Sequence, residues 1–147
     1  MKVFVTGING QLGHDVMNEL AKRGYEGVGS DLKPEYAGVA DGSAVTKMPY
    51  VSLDITDADA VEKTIVAVKP DVIVHCAAWT AVDMAEDDDK VAAVRKVNVG
   101  GTQNIANVAK KLDVPMVYLS TDYVFDGQGT KPWEPDFKGY KPLNVYG

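Results

Sequence analysis

Short apolar runs alternate with amphipathic stretches along the whole chain. Residues 3–5, 27–30, 50–53, 72–75 and 114–120 are predicted strands, because their apolar positions are mostly continuous, as in strands covered on both faces. Residues 11–23, 58–68 and 88–112 are predicted helices, and in the first of them Leu12, Val16 and Leu20 share one face. This alternation predicts an α/β fold with a doubly wound parallel sheet in three layers, αβα.

Two stretches do not follow the alternation. Residues 32–48 contain Pro34, Gly38 and Gly42 and have no clear periodicity, so we predict an extended loop. Residues 127–142 contain three prolines and three glycines and are predicted to form a loop over a site. No linker divides the chain, which predicts one domain over residues 1–147.

Length, composition and charge exclude several classes of function. The chain has 147 residues, of which 46% are hydrophobic and 24% charged, as in a globular protein with a usable core. It lacks an apolar run that could cross a bilayer, and no signal peptide is expected. The net charge of −6 without a basic cluster argues against a nucleic acid partner. The single cysteine, Cys76, favours a reducing cytoplasm.

A glycine-rich turn joins the first predicted strand to the first helix, with the sequence Thr-Gly-Ile-Asn-Gly-Gln-Leu-Gly at positions 6–13. Glycines there permit a tight bend and a close approach of a pyrophosphate, while the helix start offers free amides. Asp31 follows the last of these glycines by 18 residues, near the spacing of an acid that binds the adenosine ribose. We therefore predict a dinucleotide site, with Gly7, Gly10, Gln11, Leu12, Gly13 and Asp31 as its first residues.

Three further motifs make the whole chain resemble a known family. They are Leu-Asp-Ile-Thr at 53–56, Ala-Ala-Trp-Thr-Ala-Val-Asp-Met-Ala-Glu at 77–86, and Ser-Thr-Asp-Tyr-Val-Phe-Asp-Gly at 120–127. With the glycine spacing, they resemble the dTDP-4-dehydrorhamnose reductases, which belong to the extended short-chain dehydrogenase/reductases. The resemblance implies a Rossmann-like fold and NADH or NADPH as cofactor.

The resemblance also assigns residues to the cofactor. Asp54 and Ile55 would contact the adenine, and Ala77, Ala78, Trp79 and Thr80 would form the wall beside its ribose and pyrophosphate. Other interpretations stay open from the residues alone: Asp54 as the cap of the next helix, and Trp79 as a core residue.

The same resemblance assigns the chemistry to residues near the carboxyl end of the chain. Thr121 would hydrogen-bond the substrate carbonyl, Asp122 would hold the sugar, and Tyr146 would be the proton donor. An ordinary turn after a strand is the alternative for residues 120–122. In the family, a lysine one helical turn after the tyrosine lowers its pKa from about 10, and that position lies beyond Gly147.

The implied reaction is NAD(P)H-dependent reduction of dTDP-4-dehydro-β-L-rhamnose to dTDP-β-L-rhamnose. The family's C-terminal substrate domain is absent from the sequence, so we expect this chain alone to be inactive. A dTDP-sugar is the implied partner, and a homodimer is compatible with the family. A noncatalytic dinucleotide-binding regulatory subunit and a nucleotide-sugar epimerase or dehydratase remain alternatives.

No metal site is predicted from the remaining polar residues. The acidic run at 86–89 is interpreted as a solvated helix start, since consecutive acids point in different directions. His14 and His75 lack a ligand partner at helical spacing, and Cys76 is interpreted as a buried thiol.

Overall fold

The computed structural model describes residues 1–36 and 47–147. Its strands are β1 (Lys2–Thr6), β2 (Glu26–Asp31), β3 (Tyr50–Ser52), β4 (Val72–His75) and β5 (Met116–Tyr118). Its α-helices are α1 (Gln11–Lys22), α2 (Ala58–Val68), α3 (Val91–Arg95) and α4 (Thr102–Leu112). Within the described parts of the chain, none of the helices is long and apolar enough to span a membrane.

All five strands are parallel and lie in the order β3-β2-β1-β4-β5. Thr6 at the end of β1 pairs with Ser30 on one side and with His75 on the other, so three strands end at the same level. The chain order reverses between β1 and β4. In open parallel sheets, a ligand crevice forms at such a point outside the carboxyl ends of the strands.

The core lies on both faces of the sheet. Val3 and Val5 of β1 face one side, where they pack with Ile8 and with Met17 of α1. Phe4 faces the other side and joins the larger cluster, whose members from the helices and neighbouring strands include Val28, Ile73, Val61, Ile65, Ile105 and Val108. Coverage of both faces explains the continuous apolar runs and confirms the predicted three-layer doubly wound fold.

The predicted helix at 88–112 is more divided than its pattern indicated. A 3₁₀ turn at Asp83–Glu86 precedes it, and a π-helical segment, Lys96–Gly101, separates α3 from α4. The predicted strand at 114–120 is also shorter, because β4 ends at His75, which pairs with Tyr118 and leaves residues 119–120 without a partner strand.

The predicted loops have different outcomes. Most of the loop predicted at 32–48 lies outside the described residues, which end at 36 and resume at 47. Residues 127–142 contain no helix or strand, as predicted. That loop folds back onto Phe125, which precedes it: Trp133 stacks on Phe125 at 4.7 Å between ring centroids, and Phe137 and Tyr140 pack around the pair.

Candidate cofactor and active site

A cleft of about 470 Å³ opens at the carboxyl edge of the sheet, above the point where β1 meets β4. The glycine turn forms one side of it, and the segments after β2, β3, β4 and β5 form the others. Of the predicted cofactor residues, those that line it are Gly7, Gly10, Gln11, Leu12, Gly13, Asp31, Asp54, Ile55, Ala77, Ala78 and Thr80. Residues far apart in the sequence are thus brought to one opening.

The glycine turn is shaped by two close approaches. Gly7 has φ of +74°, which disfavours a side chain, and a Cβ there would lie 2.6 Å from the backbone nitrogen of Ala77. A Cβ at Gly13 would collide with the carbonyl oxygen of Gly7. Glycine at both positions therefore allows α1 to begin directly against the ends of β1 and β4.

The start of α1 supplies hydrogen-bond donors to the cleft. Gly10 occupies the N-cap position without a side-chain cap, and the first turn carries no acidic residue. The amides of Gln11 and Leu12 belong to the first helical turn, where amides lack intrahelical acceptors. Together with the helix dipole, such amides favour a phosphate at this end of the helix.

Asp31 is held in place at the end of β2. One carboxylate oxygen accepts the backbone N–H of Asn9 at 3.0 Å, and the other accepts that of Leu32 at 2.7 Å. Asp31 thereby ties the glycine turn to β2. Each carboxylate oxygen keeps a further acceptor site, so this side chain can still accept hydrogen bonds from ribose hydroxyls.

The structure excludes one interpretation of Asp54, that of the cap of the next helix. Asp57 is the cap of α2, since its side chain accepts the N–H of Ala60 at 3.0 Å. Asp54 instead accepts the N–H of Thr56 at 2.8 Å and remains exposed at the cleft. Ile55 is a core residue and also lines the cleft, where it can contact an adenine ring.

Trp79 does not line the cleft, unlike its neighbours Ala78 and Thr80. Its indole N–H donates to the carbonyl of Ala81 at 3.1 Å. The backbone of Trp79 is fixed by Asn98, whose side chain accepts the Trp79 N–H at 2.7 Å and donates to its carbonyl at 3.1 Å. The predicted contact between the Trp79 side chain and a cofactor thus has no support in this arrangement.

A buried polar network lies beneath the wall at 77–78. The Thr6 hydroxyl oxygen accepts the N–H groups of Cys76 and Ala77 at 3.2 and 3.1 Å, so its hydrogen is directed to His75 Nδ1 at 2.8 Å. This places the ring proton of His75 on Nε2, which lies 3.1 Å from the Thr102 hydroxyl. Burial lowers the pKa of His75 to about 4 and raises the pKa of the Cys76 thiol, so both are neutral at pH 7.

A smaller recess of about 100 Å³ adjoins the cleft and contains the predicted catalytic residues. Thr121 and Tyr146 both line it, and Tyr146 also lines the larger cleft. The Thr121 hydroxyl accepts the N–H of Tyr123, which caps a 3₁₀ turn at Asp122–Val124. Asp122 is exposed and lines neither space. The interpretation of Thr121 as a turn residue is therefore realised, while its place in the recess also fits contact with a substrate.

The segment that carries Tyr146 is irregular rather than helical. Asn144 Oδ1 accepts the N–H of Gly147 at 2.8 Å, the relation of an N-cap residue to the third helical position. The Tyr146 ring meets Tyr123 edge to face, with centroids 5.8 Å apart.

Sequence reasoning missed three residues that shape this site: Thr6, His75 and Asn98. In the sequence, Thr6 stands out only as the residue before the glycines, and His75 only as a histidine without a metal-ligand partner at helical spacing. Asn98 carried a usable signal, because an asparagine within an apolar helical stretch is unfavourable unless its side chain has a partner.

Comparison with known proteins agrees with the geometry of the cleft. A family model described as RmlD substrate binding domain matches residues 1–147. The dTDP-4-dehydrorhamnose reductase of Streptomyces griseus is 36% identical over 144 residues, which are 98% of this chain and 40% of that protein. Methionine adenosyltransferase 2 subunit beta of Rattus norvegicus is 32% identical over 99% of this chain and 39% of its own length. The chain thus spans about two fifths of these relatives.

Solved structures with cofactor share the fold. The dTDP-4-dehydrorhamnose reductase of Bacillus anthracis, in complex with NADP, is 32% identical with a TM-score of 0.76, over 99% of this chain and 44% of that one. The enzyme WbmH of Bordetella bronchiseptica, in complex with NAD⁺, is 29% identical with a TM-score of 0.80, over 99% and 47%. The prediction of a nicotinamide cofactor agrees with these two structures, since each of these similar proteins is in complex with a nicotinamide dinucleotide.

Proposed function

Since the chain belongs to the family described as RmlD substrate binding domain, we propose that its cleft binds NAD(H) or NADP(H). The proposal rests on one observation: the start of α1, which has no side-chain cap, and Asp31 line the same cleft. The α1 amides would hold the pyrophosphate and Asp31 the adenosine ribose, while Asp54 and Ile55 would contact the adenine. Ala77 and Ala78 leave room because their side chains are small.

For the protein as a whole, we propose reduction of dTDP-4-dehydro-β-L-rhamnose to dTDP-β-L-rhamnose. The named reductases among the relatives support this substrate. The reduced nicotinamide supplies hydride for the C4 ketone. Tyr146 would donate a proton to the carbonyl oxygen, and Thr121 would orient that oxygen by a hydrogen bond, since both line the recess beside the cleft.

Titration of the 147-residue chain with NADH and NADPH, followed by nicotinamide fluorescence, tests the cofactor site. We expect NADH to bind at least as tightly as NADPH, because the Asp31 carboxylate repels a 2′-phosphate. Asp31→Ala should weaken NADH binding. Asp15→Ala removes an exposed acid of α1 that does not line the cleft and is the matched control. Lys33, two residues after Asp31, carries a positive charge that attracts a 2′-phosphate. A clear NADPH preference that persists in Lys33→Ala would therefore contradict the role of Asp31.

Turnover tests the chemistry, in the full-length protein encoded by the reading frame that contains this chain. We expect Tyr146→Phe to lower kcat by about 10²–10⁴-fold with little change in cofactor affinity, because the phenol acts mainly in the transition state. Tyr25→Phe is the control, since Tyr25 is exposed and lines neither space. If Tyr146→Phe retained most of the wild-type rate, the mechanism would be wrong.

A noncatalytic dinucleotide-binding subunit is the second candidate, favoured by the 32% identity to the rat methionine adenosyltransferase subunit. Tight NADH binding without turnover of the keto-sugar by the full-length protein would favour it. An epimerase would instead release an isomer of its sugar without net oxidation of NADH, so product analysis separates that alternative from the reductase.

A further inference from the structure

We propose that Glu86 is a positioning residue for Tyr146, acting through the backbone of Val145. The proposal rests on the function proposed above for Tyr146. Glu86 Oε1 accepts the backbone N–H of Val145 at 2.7 Å, although the two residues are 59 positions apart. Val145 directly precedes Tyr146, so this bond fixes the backbone from which the phenol projects.

The contact adds a specific role to one member of the acidic run at 86–89. The four acids of the run are exposed, as expected of a solvated helix start, yet Glu86 has a specific partner in a distant segment. A hydrogen bond from an amide to a carboxylate is charge-assisted and about twice as strong as a neutral one. Asp89 makes a different contact, an ion pair with the adjacent Lys90 at 2.5 Å.

Glu86 is well placed because the turn that carries it is anchored. It ends the 3₁₀ turn at Asp83–Glu86, whose Ala85 is fully buried. The N–H of Ala85 lies 3.1 Å from the carbonyl oxygens of both Ala81 and Val82. This turn continues the chain from the wall at 77–80, so Glu86 belongs to the β4 side of the site.

Two further contacts of residues 141–146 come from the β5 side. Lys141 donates its N–H to the carbonyl of Val124 at 3.0 Å, and the Tyr146 ring packs edge to face with Tyr123. Both partners belong to the turn that follows β5. Glu86 therefore joins the Tyr146 segment to the turn that follows the wall at 77–80.

Amide hydrogen exchange of the ¹⁵N-labelled chain tests the contact independently of activity. We expect Glu86→Ala to speed exchange at Val145 by about tenfold or more, as loss of a hydrogen bond to a charged group predicts. Glu86→Gln keeps an oxygen acceptor and should restore part of the protection. Asp88→Ala, in the same exposed run, is the matched control. Unchanged exchange at Val145 in Glu86→Ala would overturn the proposal.

Kinetics of the full-length protein test the positioning role. Glu86→Ala should lower kcat by about 10-fold or more while leaving cofactor affinity unchanged, because misplacement of a catalytic group slows the chemical step. Glu86→Gln should be intermediate. An unchanged kcat in Glu86→Ala, in an enzyme that Tyr146→Phe inactivates, would overturn the positioning role alone. If Tyr146→Phe stayed active, the proposed function would fail, and the positioning role with it, whatever exchange showed at Val145.

Discussion

His75, at the end of β4, is a buried polar side chain with partners at both ring nitrogens. A buried imidazole is costly unless both nitrogens are satisfied, and here Thr6 and Thr102 satisfy them. The same Thr6 oxygen holds the backbone of Ala77, so the network supports the wall of the cleft. The Thr6 hydroxyl thus links the buried ring of His75 to the wall of the candidate site.

The lowered pKa of His75 predicts a loss of stability in acid. Below pH about 6.5 the unfolded chain protonates this side chain, while the folded chain resists protonation down to about pH 4. Stability should therefore fall as pH decreases from 6.5 to 4, by up to about 3 kcal/mol from this group.

Urea unfolding of wild type and His75→Asn at pH 7 and pH 4.5 measures this contribution. The variant should lose less stability between the two pH values than wild type does. His14→Asn retains His75 and is the control. Equal losses in wild type and His75→Asn would show that His75 is not the source.

The π-helical segment Lys96–Gly101 is the element that brings Asn98 to the site. A π-helical turn inserts one extra residue into a helix and changes which side chains face a neighbouring segment. Asn98 lies within the segment and bonds both backbone polar groups of Trp79. At its end, Gly101 is buried, and a Cβ there would lie 2.5 Å from Ile55 Cδ1.

Asn98→Ala should destabilise the fold by about 1–3 kcal/mol, because the N–H and carbonyl of Trp79 both lose their partner. It should also weaken NADH binding, because the wall at 77–80 loses the two hydrogen bonds that hold its backbone in place. Urea unfolding and NADH titration measure the two effects. Asn107→Ala, at an exposed position of α4, should change stability by less than about 0.5 kcal/mol. A similarly small change in Asn98→Ala would refute the role of this element.

For the whole molecule, the sheet has one apolar edge without cover among the described residues. β5 pairs with β4 only, and Val117, Tyr118 and Leu119 are 51%, 54% and 46% exposed. Unpaired strand edges with exposed apolar side chains favour association with other chains. Self-association through β5 would also add strands beside the recess that contains Tyr146.

We expect the 147-residue chain to self-associate, and Val117→Lys to reduce this by placing a charge on the edge. Light scattering across a dilution series measures the mass in solution. Val66→Lys, at an exposed position of α2, should leave association unchanged. A stable monomer of wild type at all concentrations would contradict the prediction.

The sequence determined the order and type of the elements and much of the composition of the site. Apolar runs and helical periodicity depend on neighbours within a few residues, so the five strands and the parallel fold were predictable. The glycine turn and Asp31 were predictable as well, because dinucleotide binding requires particular residues at short spacings. With the fold given, the carboxyl ends of the strands place these motifs at one edge.

Only the tertiary structure decided which polar side chains support the site. Thr6 with His75, Asn98 with Trp79, and Glu86 with Val145 are joined across 69, 19 and 59 positions. Local pattern does not identify the two partners of such a pair, because each pair depends on where separate elements end and how they face one another. The position of Trp79 outside the cleft and the interruption of the long helix were decided in the same way. Satisfying buried backbone and ring polar groups is a property of the packed molecule, and it is set only when distant segments meet.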